Sequence, residues 1–370
     1  MPLYRREAPL LVIVATAVFF VLLGHDRLEG QAETLLGALM FVWLFAVIIL
    51  GSASVVRHAE CLAAVLGEPY GTMILTLSVT SIEIMTIAIV MTTGDPNPTL
   101  ARDTMFSVVM IVLNGLVGMA LLLGGLRYHE QDYNLQGANA YLSVIVALSI
   151  FGLIVPNLTT TSPGPTFSRG QEAFLMLMCL GLYAVFLAIQ TTRHRGYFVD
   201  RIEKDADPNQ GIDHHASLGV RSMPHHVLLL VVYLALVIFL AEKLAILLDH
   251  GIDVLGAPSA LGAVVVAVLV LAPEGLGGIR AALANRMQRS VNILLGSALA
   301  TLALTIPAVM IIGFWQGESV VLGLDPVEAA MLVLTLLISM LTFASGRTNV
   351  LQGAVHMMLF LAYLMLIILR

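Results

Sequence analysis

Charged residues are scarce in this sequence of 370 residues, at 11% against 59% hydrophobic residues. Soluble domains carry about 25% charged residues, so the composition excludes an ordinary soluble globular domain. Cysteine is scarce too. Cys61 and Cys179 both lie in or near apolar stretches, which excludes a disulfide-rich scaffold. The net charge of −6 is modest and gives no indication of nucleic-acid binding.

Long apolar runs are what the sequence has instead. Runs of about 18–22 residues recur along it, enough to cross roughly 30 Å of hydrocarbon as helices, and the mean hydropathy is +0.94. The pattern predicts an all-α polytopic membrane protein in a lipid bilayer. Eleven transmembrane helices are predicted, at about residues 9–24, 34–56, 70–93, 104–125, 138–156, 172–191, 224–246, 258–279, 291–313, 325–345 and 351–369.

One long polar segment, 192–223, interrupts these runs, with six predicted spans before it and five after it. If the N-terminus is cytoplasmic, thirteen of the 18 Lys and Arg residues fall on the cytoplasmic side, which agrees with the positive-inside rule. The C-terminus is then outside, and 192–223 is a cytoplasmic loop. Arg5 and Arg6 precede the first apolar run as in a secretory signal, but no small-x-small cleavage site follows. We therefore expect an uncleaved first helix.

Three segments of the first half recur in the same order in the second half. The pairs are "AECLAAVLG" (59–67) with "AEKLAILLD" (241–249), "GTMILTLSVTSIE" (71–83) with "GAVVVAVLVLAPE" (262–274), and "IVLNGLVGMALLL" (111–123) with "ILLGSALATLALT" (293–305). The predicted topology gives the paired helices opposite directions across the membrane. The sequence therefore predicts one N-terminal helix and two inverted-topology five-helix repeats, a plan typical of secondary transporters. The predicted divisions are 1–30, 31–191, 192–223 and 224–370.

Two glutamates, Glu83 and Glu274, lie inside predicted spans at equivalent repeat positions, each twelve residues after a glycine. At 1.5 Å per residue they lie about 20 Å and about 18 Å into their helices. A charge at such depth costs roughly 2.5–3.5 kcal/mol, and residues of this kind usually serve ions or protons. We expect the pair to bind a cation or protons. The alternative is a pair of protonated structural glutamates.

Serine and threonine side chains recur at one-turn spacing, both before Glu83 and along residues 297–305, which places them on shared helix faces. The candidate cation ligands beside the two glutamates are Thr80, Asn114, Ser297 and Thr301. Hydroxyls more commonly bond back to their own helix, and an asparagine next to a glycine can serve close helix packing alone.

Pro273 and the "GLGG" that follows Glu274 predict a break in that helix, which would free backbone carbonyls for a cation. Glu60 and Glu242 form a second symmetric pair, near the inner and outer ends of the preceding helices. They are candidate gating or proton-access carboxylates, or else plain interfacial glutamates.

Two carboxylates with hydroxyls and carbonyls make an all-oxygen metal site. Such a site suits a hard cation such as calcium and suits imidazole- or thiolate-seeking metals poorly. Without the cation, two neighbouring carboxylates in a low dielectric do not both stay ionised, so protons replace it. Competition of a cation and protons for one site, combined with alternating access, is proton-coupled antiport. Calcium matches two ionised glutamates, whereas one sodium ion leaves a charge uncompensated. No cofactor is expected beyond the transported ions.

Three stretches carry a resemblance to a known family: "GEPYGTMILTLSVTSIEI" (67–84), "NPTLARDTMFSVVMIVLNGLVG" (97–118) and "LAPEGLGGIRAALANRMQRSVNILLGSALATLALTIP" (271–307). The sequence resembles the calcium/cation antiporter superfamily, and most closely its bacterial ChaA-type calcium(sodium, potassium):proton antiporters. The resemblance implies that Glu83 and Glu274 form the central cation site and that the first helix lies outside the repeats. It also implies a bacterial inner membrane. Thr80 and Leu271 stand where related exchangers have asparagine, which leaves sodium and potassium open beside calcium.

The main prediction is a secondary active transporter that exchanges cytoplasmic Ca²⁺ for protons. A sodium or potassium:proton antiporter of the same fold is the alternative. A membrane-embedded hydrolase is more remote, because the sequence has no nucleophile–base set and no H-E-x-x-H metal motif. A passive channel fits less well, since a protonatable, symmetric pair favours exchange.

Overall fold

The structure is a computed structural model that describes residues 7–23, 34–66, 70–93, 98–199, 223–255, 260–317 and 320–369. Within these residues, eleven helices and a short two-stranded ribbon form the fold, besides isolated 3₁₀ turns. The helices are α1 (Ala8–Leu23), α2 (Leu35–Leu66), α3 (Tyr70–Thr93), α4 (Leu100–Tyr128), α5 (Leu135–Leu153), α6 (Arg169–Arg193), α7 (Met223–Leu255), α8 (Ala260–Leu283), α9 (Met287–Gln316), α10 (Pro326–Thr342) and α11 (Val350–Ile368). The strands β1 (Gln131–Asp132) and β2 (Arg347–Thr348) pair antiparallel.

The prediction of an all-α membrane protein is confirmed. Among the described residues, seven helices are long and apolar enough to cross a membrane. Large apolar side chains such as Leu22 and Trp315 are exposed on the outside of the bundle, where hydrocarbon is the solvent that accepts them. Each predicted span overlaps one of the observed helices.

Two helices run well past their predicted ends. α2 continues to Leu66, past its predicted end directly before Arg57, and α7 continues to Leu255, past its predicted end at residue 246. Arg57 does not end α2, because its Nη2 finds a partner and donates to Glu7 at 3.0 Å. Within the predicted span of α7, Lys243 Nζ likewise donates to Glu242 at 2.7 Å. A charge marks the edge of the hydrocarbon layer, but it does not stop a helix.

The predicted break at Pro273 is wrong, because α8 is helical without interruption from Ala260 to Leu283. A proline removes one backbone hydrogen bond, and membrane helices tolerate that loss where neighbouring groups compensate. The helices with irregular turns are instead α4, α6 and α9, which contain π-helical turns at Ile111–Leu116, Ile189–Arg193 and Thr301–Thr305. Such turns are common at functional sites.

Buried apolar side chains form two separate clusters. One cluster, which includes Ile13, Leu44 and Tyr233, joins α1, α2 and α7 to one side of α3 and α8. The other fills the middle of α4, α5, α6, α9, α10 and α11, and it also meets α3 and α8. α3 and α8 are therefore the helices that contact both clusters.

The first helix is attached to α2 and α7 by a polar cluster. Glu7, at the start of α1, accepts hydrogen bonds from Arg57 at 3.0 Å and from Tyr233 at 3.1 Å. His58 is buried beside them, and its Nδ1 lies 3.0 Å from Nδ1 of His226. Glu7 thus joins three helices at one point.

A second polar network closes the end of the bundle where α4 and α8 end and where α9 and α11 begin. Gln288 accepts from the backbone N–H of Asn134 and donates to Asn292 at 2.8 Å, while Asn292 donates to the carbonyl of Phe198. Gln131 donates to the carbonyl of Ala282 at 2.8 Å. This end carries Arg127, Arg193, Arg195, Arg280, Arg286, Arg289 and Arg347. We call it the arginine-rich end; it is the side predicted to be cytoplasmic.

We expect Glu7→Ala to lower the melting temperature of the purified protein by about 2–4 °C, which corresponds to roughly 1 kcal/mol in a large domain. The substitution leaves Arg57 and Tyr233 without their shared acceptor. Glu130→Ala is the matched control, because Glu130 pairs with Arg347 at a well-exposed position, where ion pairs contribute little. Equal melting temperatures for the two variants would contradict the attachment role of Glu7.

Candidate cation site

Glu83 is buried in the middle of α3, with 2% of its surface exposed. Its Oε2 accepts a hydrogen bond from Thr301 Oγ1 of α9 at 2.6 Å. A bond of that length between a hydroxyl and a carboxyl group belongs to the strong, charge-assisted class. α9 therefore holds the Glu83 carboxylate from across the bundle.

Glu274 is placed in the same way on α8, with 1% of its surface exposed. Its Oε2 accepts a hydrogen bond from Ser297 Oγ, also of α9. Ser297 and Thr301 are four residues apart, so their attachment points lie about 6 Å apart along one face of α9. The two carboxylates are close enough for electrostatic repulsion when both are ionised. α9 thus brings together two glutamates from distant parts of the chain.

Each glutamate keeps one oxygen that no hydrogen bond occupies. Within the described part of the chain, Glu83 Oε1, Glu274 Oε1 and Thr305 Oγ1 are buried without a hydrogen-bond partner. A buried carboxylate oxygen without a partner is costly, whereas a cation or a proton satisfies it. The donor set is all oxygen, which is the chemistry of Ca²⁺ and other hard cations.

The described residues contain no cluster of three or more His, Cys, Asp or Glu side chains able to hold a metal ion. A resident metal centre of the zinc or iron type has no such ligand set among them.

The structure brings four of the six proposed ligands together: Glu83, Glu274, Ser297 and Thr301. Thr80 is buried on α3 one turn before Glu83. Thr76, another turn earlier, is buried as well and lines a small cavity beside Gly296. The role of all these residues as ligands stays a prediction.

Asn114 belongs to a different polar network. Its Nδ2 donates to Thr335 Oγ1 at 2.8 Å, and its Oδ1 lies 3.2 Å from Nδ1 of His356. His356 Nε2 lies 3.0 Å from Thr342 Oγ1. Asn114 thus links α4 to α10 and α11, within the first π-helical turn. Sequence reasoning did not connect these residues, although a histidine and two threonines inside apolar spans were a visible signal.

The second acidic pair is described only in part. Glu242 lies on α7 and is about one-third exposed, paired with Lys243 at 2.7 Å. An ion pair of this kind is expected of a glutamate at the membrane interface. The gating role of Glu242 stays a prediction. The side chain of Glu60 lies outside the described residues.

Comparisons with known proteins identify the family to which the chain belongs. The profile of the "Sodium/calcium exchanger protein" family matches residues 36–192 and 225–369. The chain is 42% identical over 365 residues to the sodium-potassium/proton antiporter ChaA of Escherichia coli (strain K12), covering 98% of this chain and 96% of that protein. It is 21% identical over 346 residues to the Ca(2+)/H(+) antiporter ChaA of Bacillus subtilis (strain 168), covering 91% and 95%.

The fold also matches a solved structure, that of an H+/Ca2+ exchanger named CAX. The TM-score is 0.71 at 14% sequence identity, covering 98% of this chain and 88% of that one. At such low identity the match concerns the fold alone.

A multi-pass helical membrane protein with a buried pair of carboxylates at its centre belongs to the class of cation transporters. The chain is a member of the sodium/calcium exchanger protein family, in which it is a cation/proton antiporter and not an enzyme.

We expect Ser297→Ala and Thr301→Val each to weaken cation affinity by about tenfold, because a hydrogen bond to a charged group is worth about 1.5–3 kcal/mol. Half-saturating cation concentrations for proton release in everted membrane vesicles measure the effect. Ser81→Ala is the matched control, since the exposed Ser81 hydroxyl bonds back to the carbonyl of Leu77. Unchanged cation affinity in both test variants would show that the two α9 hydroxyls take no part in cation binding.

Proposed function

We propose that the protein moves Ca²⁺ out of the cytoplasm in exchange for protons, by alternating access at the Glu83–Glu274 pair. One observation carries the proposal: two buried carboxylates are held by adjacent turns of one helix, and each keeps a free oxygen. Free oxygens on both carboxylates give a single ion a place to bind to both groups.

Charge balance favours a divalent ion. In the cation-bound state, Ca²⁺ neutralises two ionised glutamates; in the proton-bound state, protons neutralise the same groups. In both states the site can change the side of the membrane to which it is open without leaving an uncompensated charge in the low-dielectric core. Cation and protons exclude each other at the site, so that transport of one drives the other.

Sodium or potassium exchange for protons is the second candidate. It is supported by the 42% identical relative, which is a sodium-potassium/proton antiporter. The Asn114 amide is already bonded to Thr335 and lies against His356, which favours an ion with a lower coordination number than calcium; its role as a ligand stays a prediction. With one glutamate protonated and the other ionised, the same pair would balance a monovalent ion.

Two inverted repeats supply the architecture we propose for alternating access. The family profile matches 36–192 and 225–369, close to the predicted repeats at 31–191 and 224–370. α3 and α8 carry the two glutamates, and each meets both hydrophobic clusters. Rocking one cluster against the other would change access to the pair while its ligands stay on the same helices.

The proposed orientation places the arginine-rich end in the cytoplasm of a bacterial cell, with the inner membrane as its location. Positively charged loops are retained on that side. The N-terminus is then cytoplasmic and the C-terminus outside. Glu242, partly exposed and paired with Lys243, remains our candidate for an outer access residue, with Glu60 as its inner counterpart.

We expect Glu83→Gln and Glu274→Gln each to abolish proton-coupled cation flux, since glutamine keeps the size of the side chain and removes its charge. Everted membrane vesicles loaded with a pH-sensitive dye report the flux as dequenching after addition of Ca²⁺, Na⁺ or K⁺.

In the unsubstituted protein, raising the external proton concentration should raise the half-saturating Ca²⁺ concentration, because protons occupy the same oxygens.

Glu130→Gln is the matched control, because Glu130 is exposed at the arginine-rich end. If both central variants keep full proton-coupled flux, the pair is not the site. Dequenching by Na⁺ or K⁺ but not by Ca²⁺ would favour the second candidate and leave the site assignment intact.

A further inference from the structure

A small cavity with polar and apolar walls lies between α3, α5, α6 and α9. It has room for about one water molecule. Its polar lining consists of Thr76, Tyr141, Tyr183 and Gln190, and Gly296 forms part of its wall. Polar side chains are costly in hydrocarbon, so the presence of several hydroxyl and amide groups around one cavity inside apolar helices calls for an explanation.

The cavity lies on the path from the pair to the arginine-rich end. Thr76 precedes Glu83 by seven residues, which places it about 10 Å closer to the start of α3. Gly296 directly precedes Ser297, the partner of Glu274. The start of α9 and the end of α6 lie at the arginine-rich end, and Thr76, in the first third of α3, lines the cavity together with Gln190 of α6.

A hydrogen bond closes this cavity. Gln190 Nε2 donates to the Tyr141 hydroxyl at 3.1 Å, and both residues are buried, at 3% and 1% exposure. Gln190 belongs to the π-helical turn Ile189–Arg193, where the ordinary helical hydrogen-bond pattern is already interrupted. A small rearrangement of that turn can therefore move the Gln190 amide away from Tyr141.

We propose that this cavity is the route by which the transported cation passes between the glutamate pair and the arginine-rich end. The Tyr141–Gln190 hydrogen bond is its gate. Oxygen atoms of Thr76, Tyr141, Tyr183 and Gln190 replace part of the ion's hydration shell during passage. The inference rests on the proposed function, since it assigns a path to the same site.

Gly296 keeps the passage open. A β-carbon at that position would meet the Tyr141 ring at 3.6 Å, the Tyr141 hydroxyl at 3.7 Å and Thr76 Oγ1 at 3.9 Å. These are ordinary van der Waals contacts, so alanine fits without displacing the helices. It would nevertheless occupy space between the polar groups, and valine would occupy more.

Thiol accessibility tests the route without relying on transport. Cys61 and Cys179 are buried; in a Cys61→Ser, Cys179→Ala background, Gln190→Cys should react with a cationic, membrane-impermeant methanethiosulfonate from the arginine-rich face. Saturating Ca²⁺ should slow the reaction. Ser149→Cys is the control, on α5 like Tyr141, and completely buried. A Gln190→Cys protein as unreactive as the control from both faces overturns the route.

Narrowing the passage is the second test. We expect Gly296→Ala to slow exchange by about threefold and Gly296→Val by about tenfold, a barrier increase of about 0.7 and 1.4 kcal/mol. Equilibrium binding of radioactive Ca²⁺ to the purified protein should stay unchanged. Gly181→Ala on α6 is the control, because a β-carbon there meets no atom within 4 Å.

Binding and flux together separate the two hypotheses. Wild-type exchange rates in both Gly296 variants would overturn the route and leave the proposed function standing. The proposed function itself fails if the unsubstituted protein binds neither Ca²⁺ nor a monovalent cation. It also fails if the Glu83→Gln variant binds the cation with the same affinity as the unsubstituted protein. Slow exchange with intact binding supports the route.

Discussion

The burial of two carboxylates in the middle of a membrane protein is the constraint on which the structure depends. Glu83 and Glu274 come from helices that are almost two hundred residues apart in the chain, and within the described residues neither forms an ion pair with a basic side chain. α9 compensates them with two hydroxyls one turn apart. Two hydroxyls are too few to satisfy two ionised carboxylates. On the proposed function, the transported cation or protons complete the site.

The arrangement around the pair separates rigid parts from adjustable ones. α4 and α9 are almost completely buried, and they hold Asn114, Ser297 and Thr301 in the centre of the larger cluster. α1, α2 and α7 pack in the smaller cluster, joined through Glu7. Among the described helices, α3 and α8 are the two that contribute to both clusters. A movement between the clusters therefore acts directly on the two helices that carry the glutamates, while their hydroxyl partners stay in the core.

Apolar spans and internal repeats were enough to predict the helical class and to select Glu83 and Glu274, because burial cost singles out a carboxylate in a hydrophobic run. The end of α2 was missed, since Arg57 is stabilised by Glu7, a partner fifty residues away. The continuity of α8 through Pro273 was missed because a proline in a membrane helix does not have to break it. The contacts of Asn114 with His356 and of Gln190 with Tyr141 join distant segments, and one sequence without homologues does not reveal such pairs.

Charge balance also explains why such a site would exchange ions and would not leak them. An empty site with two ionised carboxylates would have to change its access inside a low-dielectric interior with no compensating charge, and that state is costly. The site can change its exposure at low cost only when it is neutralised by a divalent ion, by a monovalent ion with one proton, or by protons alone. Each of these fillings excludes the others, because the free oxygens are the same. Coupling then follows from electrostatics at one place, and selectivity between Ca²⁺ and monovalent ions depends on how many protons remain when the cation binds.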